Sequence, residues 1–170
     1  MEMAKRILVA YASKRGGTAE IAERIGAGLR GAGLQVDVLP ADRASDPAAY
    51  DAVALGSAVY YGNWRKEAAN FIKRNEAVLA ERPVWIFSSG PTGEGDPVEL
   101  AKGWRLPEGQ RPIIERIRPR DVALFHGVLD PAKLNPFERL IIRNVKAPAG
   151  DFRDWEAITS WAEDIAAALK

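Results

Sequence analysis

The most constraining feature of this chain is an alternation: short apolar runs recur along it, and most are followed by stretches whose apolar residues repeat at helical spacing. Arg6 to Ala12 is a continuous apolar run, as expected of a strand buried on both faces. Thr18 to Leu29 then carries Ile21, Ala22, Ile25, Gly28 and Leu29 on one helical stripe, closed by Gly31 and Gly33. Further strands are expected at Leu34 to Leu39, Ala52 to Val59, Val84 to Phe87 and Val122 to Leu129. Helices are expected at Lys66 to Leu79, Ile113 to Ile117, Pro136 to Val145 and Trp155 to Leu169. Trp155 and Trp161 belong to the apolar face of the last.

Five buried strands with intervening helices imply an α/β fold: a doubly wound parallel sheet with helices on both faces, since parallel crossovers are right-handed. The length of 170 residues matches one domain of about 150 residues, so 1–170 is read as a single unit. In such folds ligands sit beyond the carboxyl ends of the strands. Function is therefore sought in the loops at 13–18, 57–64 and 88–97.

Composition narrows the chemistry. Lys and Arg number 24 against 23 Asp and Glu, a net charge of +1, which does not favour non-specific phosphate reading, and no nucleic-acid partner is expected. The absence of cysteine excludes disulfides, thiolate metal sites and thiol redox cycles, and the single histidine excludes a multi-His metal site. Redox chemistry would have to reside on a bound organic cofactor. Lys5 and Arg6 before Ile7 to Ala12 do not make a signal peptide, because the apolar run is short and no small-residue cleavage pattern follows. No apolar stretch approaches the ~20 residues that span a bilayer. A cytoplasmic protein is expected, soluble or peripheral to the inner face of the membrane.

Ser13-Lys14-Arg15-Gly16-Gly17-Thr18 joins the first strand directly to a helix start. Free first-turn N–H groups, the helix dipole, two glycines and the Ser13 and Thr18 hydroxyls make an anion cradle for a monophosphate. It is not a Walker A loop, since no Gly-Lys-Ser/Thr follows at the required spacing. Gly26-Ala27-Gly28-Leu29-Arg30-Gly31 fits G-x-G-x-x-G literally but lies inside a helix. It is read as small residues allowing close helix packing, which removes the main support for an NAD-binding fold. Tyr60, Tyr61 and Trp64 beside Gly62 form an aromatic cluster that either covers something flat or packs under neighbouring loops. The loop Ser88 to Pro97 offers free backbone groups suited to the polar edge of a heterocycle, or is a plain surface loop.

With Ser13, Gly16 and Thr18 directly after the first strand, the aromatic–glycine loop at 60–64 and the glycine-rich loop at 88–96, nearly the whole chain resembles the flavodoxin-like family. Within it, Tyr61-Gly62-Asn63-Trp64, Phe71-Ile72-Lys73, Phe137-Glu138-Arg139 and Asp154-Trp155 are similar to the flavodoxin-domain branch that includes menaquinone-dependent protoporphyrinogen IX dehydrogenase. The resemblance implies FMN bound across the switch point of a five-stranded sheet of order 2-1-3-4-5. Carried over by position, Ser13, Lys14, Arg15, Gly16, Gly17 and Thr18 would hold the phosphate. Ala58, Val59, Tyr60, Tyr61, Gly62, Asn63 and Trp64 would flank the isoalloxazine. Ser89, Gly90, Pro91, Thr92, Gly93, Gly95 and Asp96 would close its other side and pyrimidine edge. A carbonyl near Gly62 is expected to accept a hydrogen bond from the reduced ring. No catalytic side chain and no metal ligand is assigned.

Lys14 and Arg15, with a near-zero net charge, depart from the neutral-donor loop and acidic surface of electron-carrier flavodoxins. Three readings follow: an FMN-dependent oxidoreductase acting on a small organic substrate such as a quinone or porphyrinogen, an electron carrier between protein partners, or a cofactor-free interaction module. The amphipathic segment 135–146 places Phe137, Leu140, Ile141 and Val145 on one face and Arg139, Arg143 and Lys146 on the other. It is read as a helix capping the sheet, a lid near the flavin or a peripheral membrane contact. His126 is read as structural.

Overall fold

The computed structural model describes residues 3–44 and 46–170. Strand β1 (Arg6–Ala12) lies between β2 (Gln35–Pro40) and β3 (Ala52–Tyr60), and β3 continues to β5 (Val84–Ser89) and β6 (Asp121–Phe125). All four pairings along β2-β1-β3-β5-β6 are parallel, so the principal strands run in the expected 2-1-3-4-5 order. The two-residue β4 (Asn63–Trp64) folds back antiparallel on β3.

Alternation along each buried strand sends side chains to opposite faces of the sheet. Ile7 and Val9, Ala52 and Ala54, and Trp85 and Phe87 pack against α1 (Gly17–Gly31) and α7 (Trp155–Leu169), on Ile21, Ile25, Ile158, Trp161 and Ile165. Leu8 and Ala10, Val53 and Leu55, and Val84 and Ile86 point the other way. They meet Phe71, Ile72, Leu79 and Ile114 of α2 (Lys66–Arg74), α3 (Glu76–Leu79) and α5 (Arg111–Ile117). The literal G-x-G-x-x-G is a packing device: a Cβ on Gly26 would fall 2.5 Å from Val38 Cγ2 of β2, and one on Gly28 would fall 3.0 Å from Ala162 Cβ of α7.

Two expected elements are divided. The helix at 66–79 breaks at Asn75, whose backbone and side-chain amides both donate to Phe71 O, at 3.1 and 2.9 Å. The strand expected over 122–129 ends at Phe125, and Val128–Leu129 forms a separate β7 paired antiparallel with β8 (Gly150–Asp151). The physical reason is a crossing of loops at Gly127. Its amide donates to Pro91 O at 2.8 Å, and a Cβ there would lie 2.7 Å from Gly90 O. The chain between β7 and β8 carries α6 (Pro136–Val145), none of whose residues is buried. A one-turn α4 (Pro97–Leu100) follows the glycine-rich loop. Trp161 is core, and its Nε1 donates to Asp121 Oδ2 at 2.8 Å. Trp155, read as core, is only half-buried, with the Arg24 and Arg153 guanidinium groups over its ring at 4.9 and 4.7 Å from the centre.

Candidate cofactor-binding site

The carboxyl ends of β1, β3 and β5 open into a cavity of about 810 Å³, roofed by the segment from Gly127 to Ala147. Loop 13–18 forms one end. Gly16 sits at the N-terminus of α1 with φ +90°, a left-handed conformation that glycine adopts without penalty, and no side chain caps the first turn. Ser13 Oγ accepts from Gly16 N at 3.0 Å, which leaves the hydroxyl hydrogen free to donate. Thr18 is buried, and its Oγ1 lies 2.8 Å from Ser89 Oγ, tying α1 to the end of β5. A Cβ on Gly17 would come within 2.7 Å of Val128 Cγ1, so the β7 segment closes directly on the loop.

The β3–β4 hairpin forms a side wall. Tyr60 pairs with Asn63, and the intervening Tyr61 and Gly62 have φ of 54° and 76°, the positive pair of a tight type I′ turn. Tyr61 is 75% exposed and Tyr60 36% exposed, and both line the cavity. Burial raises the Tyr60 hydroxyl above its ordinary value, while the Arg15 and Arg65 cations pull it back. Of the two readings of Trp64, packing beneath its neighbours describes most of the ring: pleating of β4 turns it inward, where it is buried and donates from Nε1 to Ser88 Oγ at 2.9 Å. It lines the cavity with Ala58, Val59 and Asn63.

The loop after β5 divides. Ser89, Gly90 and Thr92 line the cavity. Pro91 and Gly62 instead border a smaller apolar pocket of about 230 Å³ with Trp104. Trp104 Nε1 donates to Gly62 O at 3.0 Å, so one lone pair of this carbonyl, which lies where a carbonyl is expected to serve the reduced ring, is taken. Gly93, Gly95 and Asp96 do not reach the cavity wall. Gly93 faces Pro148 and Leu100, and Gly95 O lies 2.7 Å from His126 Nε2. Asp96 Oδ1 accepts from Val98 N at 2.9 Å and caps α4. These residues turn away because the short helix and His126 hold the second half of the loop. His126 is thus a clasp between two loops.

The roof was legible only in part. Phe137, Ile141, Ile142 and Val145 of α6 line the cavity, with Ile142 in the place expected of Leu140. Glu138 Oε2 accepts from Lys14 Nζ at 3.2 Å and from the Arg15 guanidinium. Its carboxyl is held below the usual carboxylate range, first by the Asn135 amide and then by Lys14 and Arg15. Arg65 and Arg153 also line the cavity and escaped sequence reasoning. Arg65 follows the aromatic loop immediately, a position that signals its place, and its buried Nε has no hydrogen-bond partner among the described residues. Arg153 leaves no such signal: its side chain, 7% exposed, reaches 136 positions back to donate to Gly17 O at 3.2 Å while pairing with Glu20 and Asp151.

A parallel sheet of this order with a cradle after β1 and an aromatic hairpin after β3 defines a mononucleotide-binding doubly wound protein. The flavodoxin domain model matches residues 8–156, and the chain belongs to the flavodoxin-domain family. Flavodoxin domains bind FMN. Protoporphyrinogen IX dehydrogenase (quinone) of Escherichia coli strain K12 is 24% identical over 182 aligned positions, covering 95% of this chain and 94% of the relative. Among solved structures, a flavodoxin from the domain Archaea superposes with a TM-score of 0.61 at 16% identity, over 96% of this chain and 98% of the other. Oxidised flavodoxin 1 from Bacillus cereus gives 0.62 at 12%, over 97% and 99%.

Proposed function

We propose that this chain is an FMN-dependent oxidoreductase that passes electrons between a small organic substrate, quinone- or porphyrinogen-like, and the flavin. The observation that carries this reading is the roof. An apolar helix face, Phe137, Ile141, Ile142 and Val145, stands over the cavity that the aromatic hairpin and the loop at 13–18 enclose. A volume of about 810 Å³ lies within the range of small-molecule sites. A carrier that docks on protein partners needs its ring edge open at the surface; a cavity with an apolar helix face beside its mouth favours a small, apolar reactant instead. The net charge of +1 also lacks the acidic field of a docking carrier.

The residues fit FMN. The uncapped first turn of α1, the Ser13 hydroxyl and the Lys14 and Arg15 cations suit a phosphate. Tyr60 and Tyr61 offer ring faces, while Ser89, Gly90 and Thr92 supply small polar neighbours for the heterocycle. The orphaned Nε of Arg65 is a buried donor awaiting an acceptor. Bound FMN supplies the electron transfer, and the protein binds, orients and shields it. The four α6 side chains give the substrate space an apolar wall, and Arg153 fixes the start of α1 through Gly17 O.

The outer side of α6 supports a peripheral contact with an anionic membrane. Leu140, which does not line the cavity, is 53% exposed there, with Arg139, Arg143 and Lys146 nearby. Among the described residues no helix is long and apolar enough to cross a membrane. The test of the reading is steady-state turnover of the purified FMN-loaded protein with a porphyrinogen donor and a soluble quinone acceptor. Multiple turnovers support it; flavin reduced only by a partner reductase, with no quinone-coupled turnover, points to a carrier and refutes it.

A further inference from the structure

We infer that Glu138 is an internal anion that latches α6 over the phosphate loop, and that the phosphate of the incoming cofactor displaces it and loosens the helix. This rests on the reading of loop 13–18 as the phosphate site.

Glu138 occupies the side-chain cations of that loop: its Oε2 accepts from Lys14 at 3.2 Å and from Arg15. The carboxylate cannot swing away freely. Its Oε1 accepts from Asn135 N at 3.1 Å, while Asn135 Oδ1 accepts from Glu138 N at 2.8 Å, a reciprocal cap that fixes the side chain to the first turn of α6. Moving the carboxylate therefore moves the start of the helix. Little apolar burial opposes that motion, since none of the ten residues of α6 is buried. A tie outside the phosphate loop is Arg139 Nε donating to Pro131 O at 3.0 Å, within the same roof segment. A phosphate dianion entering the loop meets the same two cations and a carboxylate already seated on them. Like charges at such separation repel, and the ligand, with additional backbone donors at the start of α1, outcompetes Glu138. Cofactor loading then frees the start of α6 from the phosphate loop, so that the roof can open for substrate and close again over it.

Glu138→Gln tests this, because glutamine keeps the cap at this position of the helix while removing the charge. In apoprotein titrated with FMN, followed by flavin fluorescence, the variant should bind roughly tenfold tighter at low salt, the scale of removing one like charge from a partly exposed site. Limited trypsin cleavage after Arg139 and Arg143 gives the second readout. Wild-type cleavage should quicken severalfold with FMN and not with riboflavin, which lacks the phosphate; the variant should be cleaved quickly with or without FMN. Weaker or unchanged FMN binding by the variant, or protection of α6 by FMN, overturns the latch alone. Failure of both proteins to bind FMN overturns the phosphate-site reading and the latch with it.

Discussion

Trp104 shows how one side chain outside the expected site sets the behaviour of a residue within it. Its indole N–H holds Gly62 O at 3.0 Å, fixing the tip of the β3–β4 turn. Turning this carbonyl toward a flavin would require breaking that hydrogen bond. Trp104→Phe removes the donor while keeping a ring in place. Its expected effects are a stability loss of about 1 kcal/mol, read by urea unfolding, and a shift of the first one-electron reduction potential of the FMN-loaded protein, read by redox titration. Unchanged potentials would show that the turn tip does not touch the redox chemistry. Gly62 itself was legible because a positive φ at a hairpin tip selects glycine; Trp104 was not, since it lies 42 positions away and indole pairing with a distant carbonyl leaves no sequence pattern. Trp64 was marked by its aromatic character, but the two-residue β4 decides between the two readings of it by turning the ring inward.

At the scale of elements, α6 is the part whose role the sequence left open among cap, lid and membrane contact. Its limits, Pro136–Val145, follow from Asn135 and Pro136 at its start and were readable. Its position was not, because that depends on the β7–β8 ribbon and on ion pairs to a loop more than 120 residues earlier. Asn135→Ala removes one half of the capping box and should destabilise the helix by about 1 kcal/mol. Since no α6 residue is buried, the loss should stay local: faster amide hydrogen exchange across 136–145 with an unchanged global unfolding midpoint. The ribbon itself depends on the Arg153–Asp151 pair, which holds the Asp151 carboxyl below its ordinary value of 3.8. A depressed carboxyl stabilises the fold fully above that ordinary value, and the contribution disappears as pH falls through the lower folded value. Exchange protection of 150–151 should therefore persist at pH 5, begin to weaken as pH falls below about 4, and match that of Asp151→Asn only once pH is below the lowered folded value.

At the scale of the whole molecule, the sheet order follows from five apolar runs and the helices between them, which is why most of the architecture was visible in sequence. What pattern cannot give is the aromatic knot at the far edge. Phe87, Phe125 and Trp161 pack with ring centres 5.6 to 6.3 Å apart, joining β5, β6 and α7. Phe87→Ala should cost about 3–5 kcal/mol, read as a large fall in the unfolding midpoint. The same three loops that meet at the strand ends were located by topology; the roof was located only in part, and Arg65 and Arg153 at the cavity were not. The account as a whole stands on the nucleotide that this strand-end cavity accepts. Titration of the apoprotein with FMN and with riboflavin, followed by flavin fluorescence quenching, tests it most directly. We expect saturable one-to-one binding of FMN and binding of riboflavin weaker by about two orders of magnitude or more, because the phosphate engages the start of α1. Equal affinity for the two flavins, or no saturable binding of FMN, would contradict it.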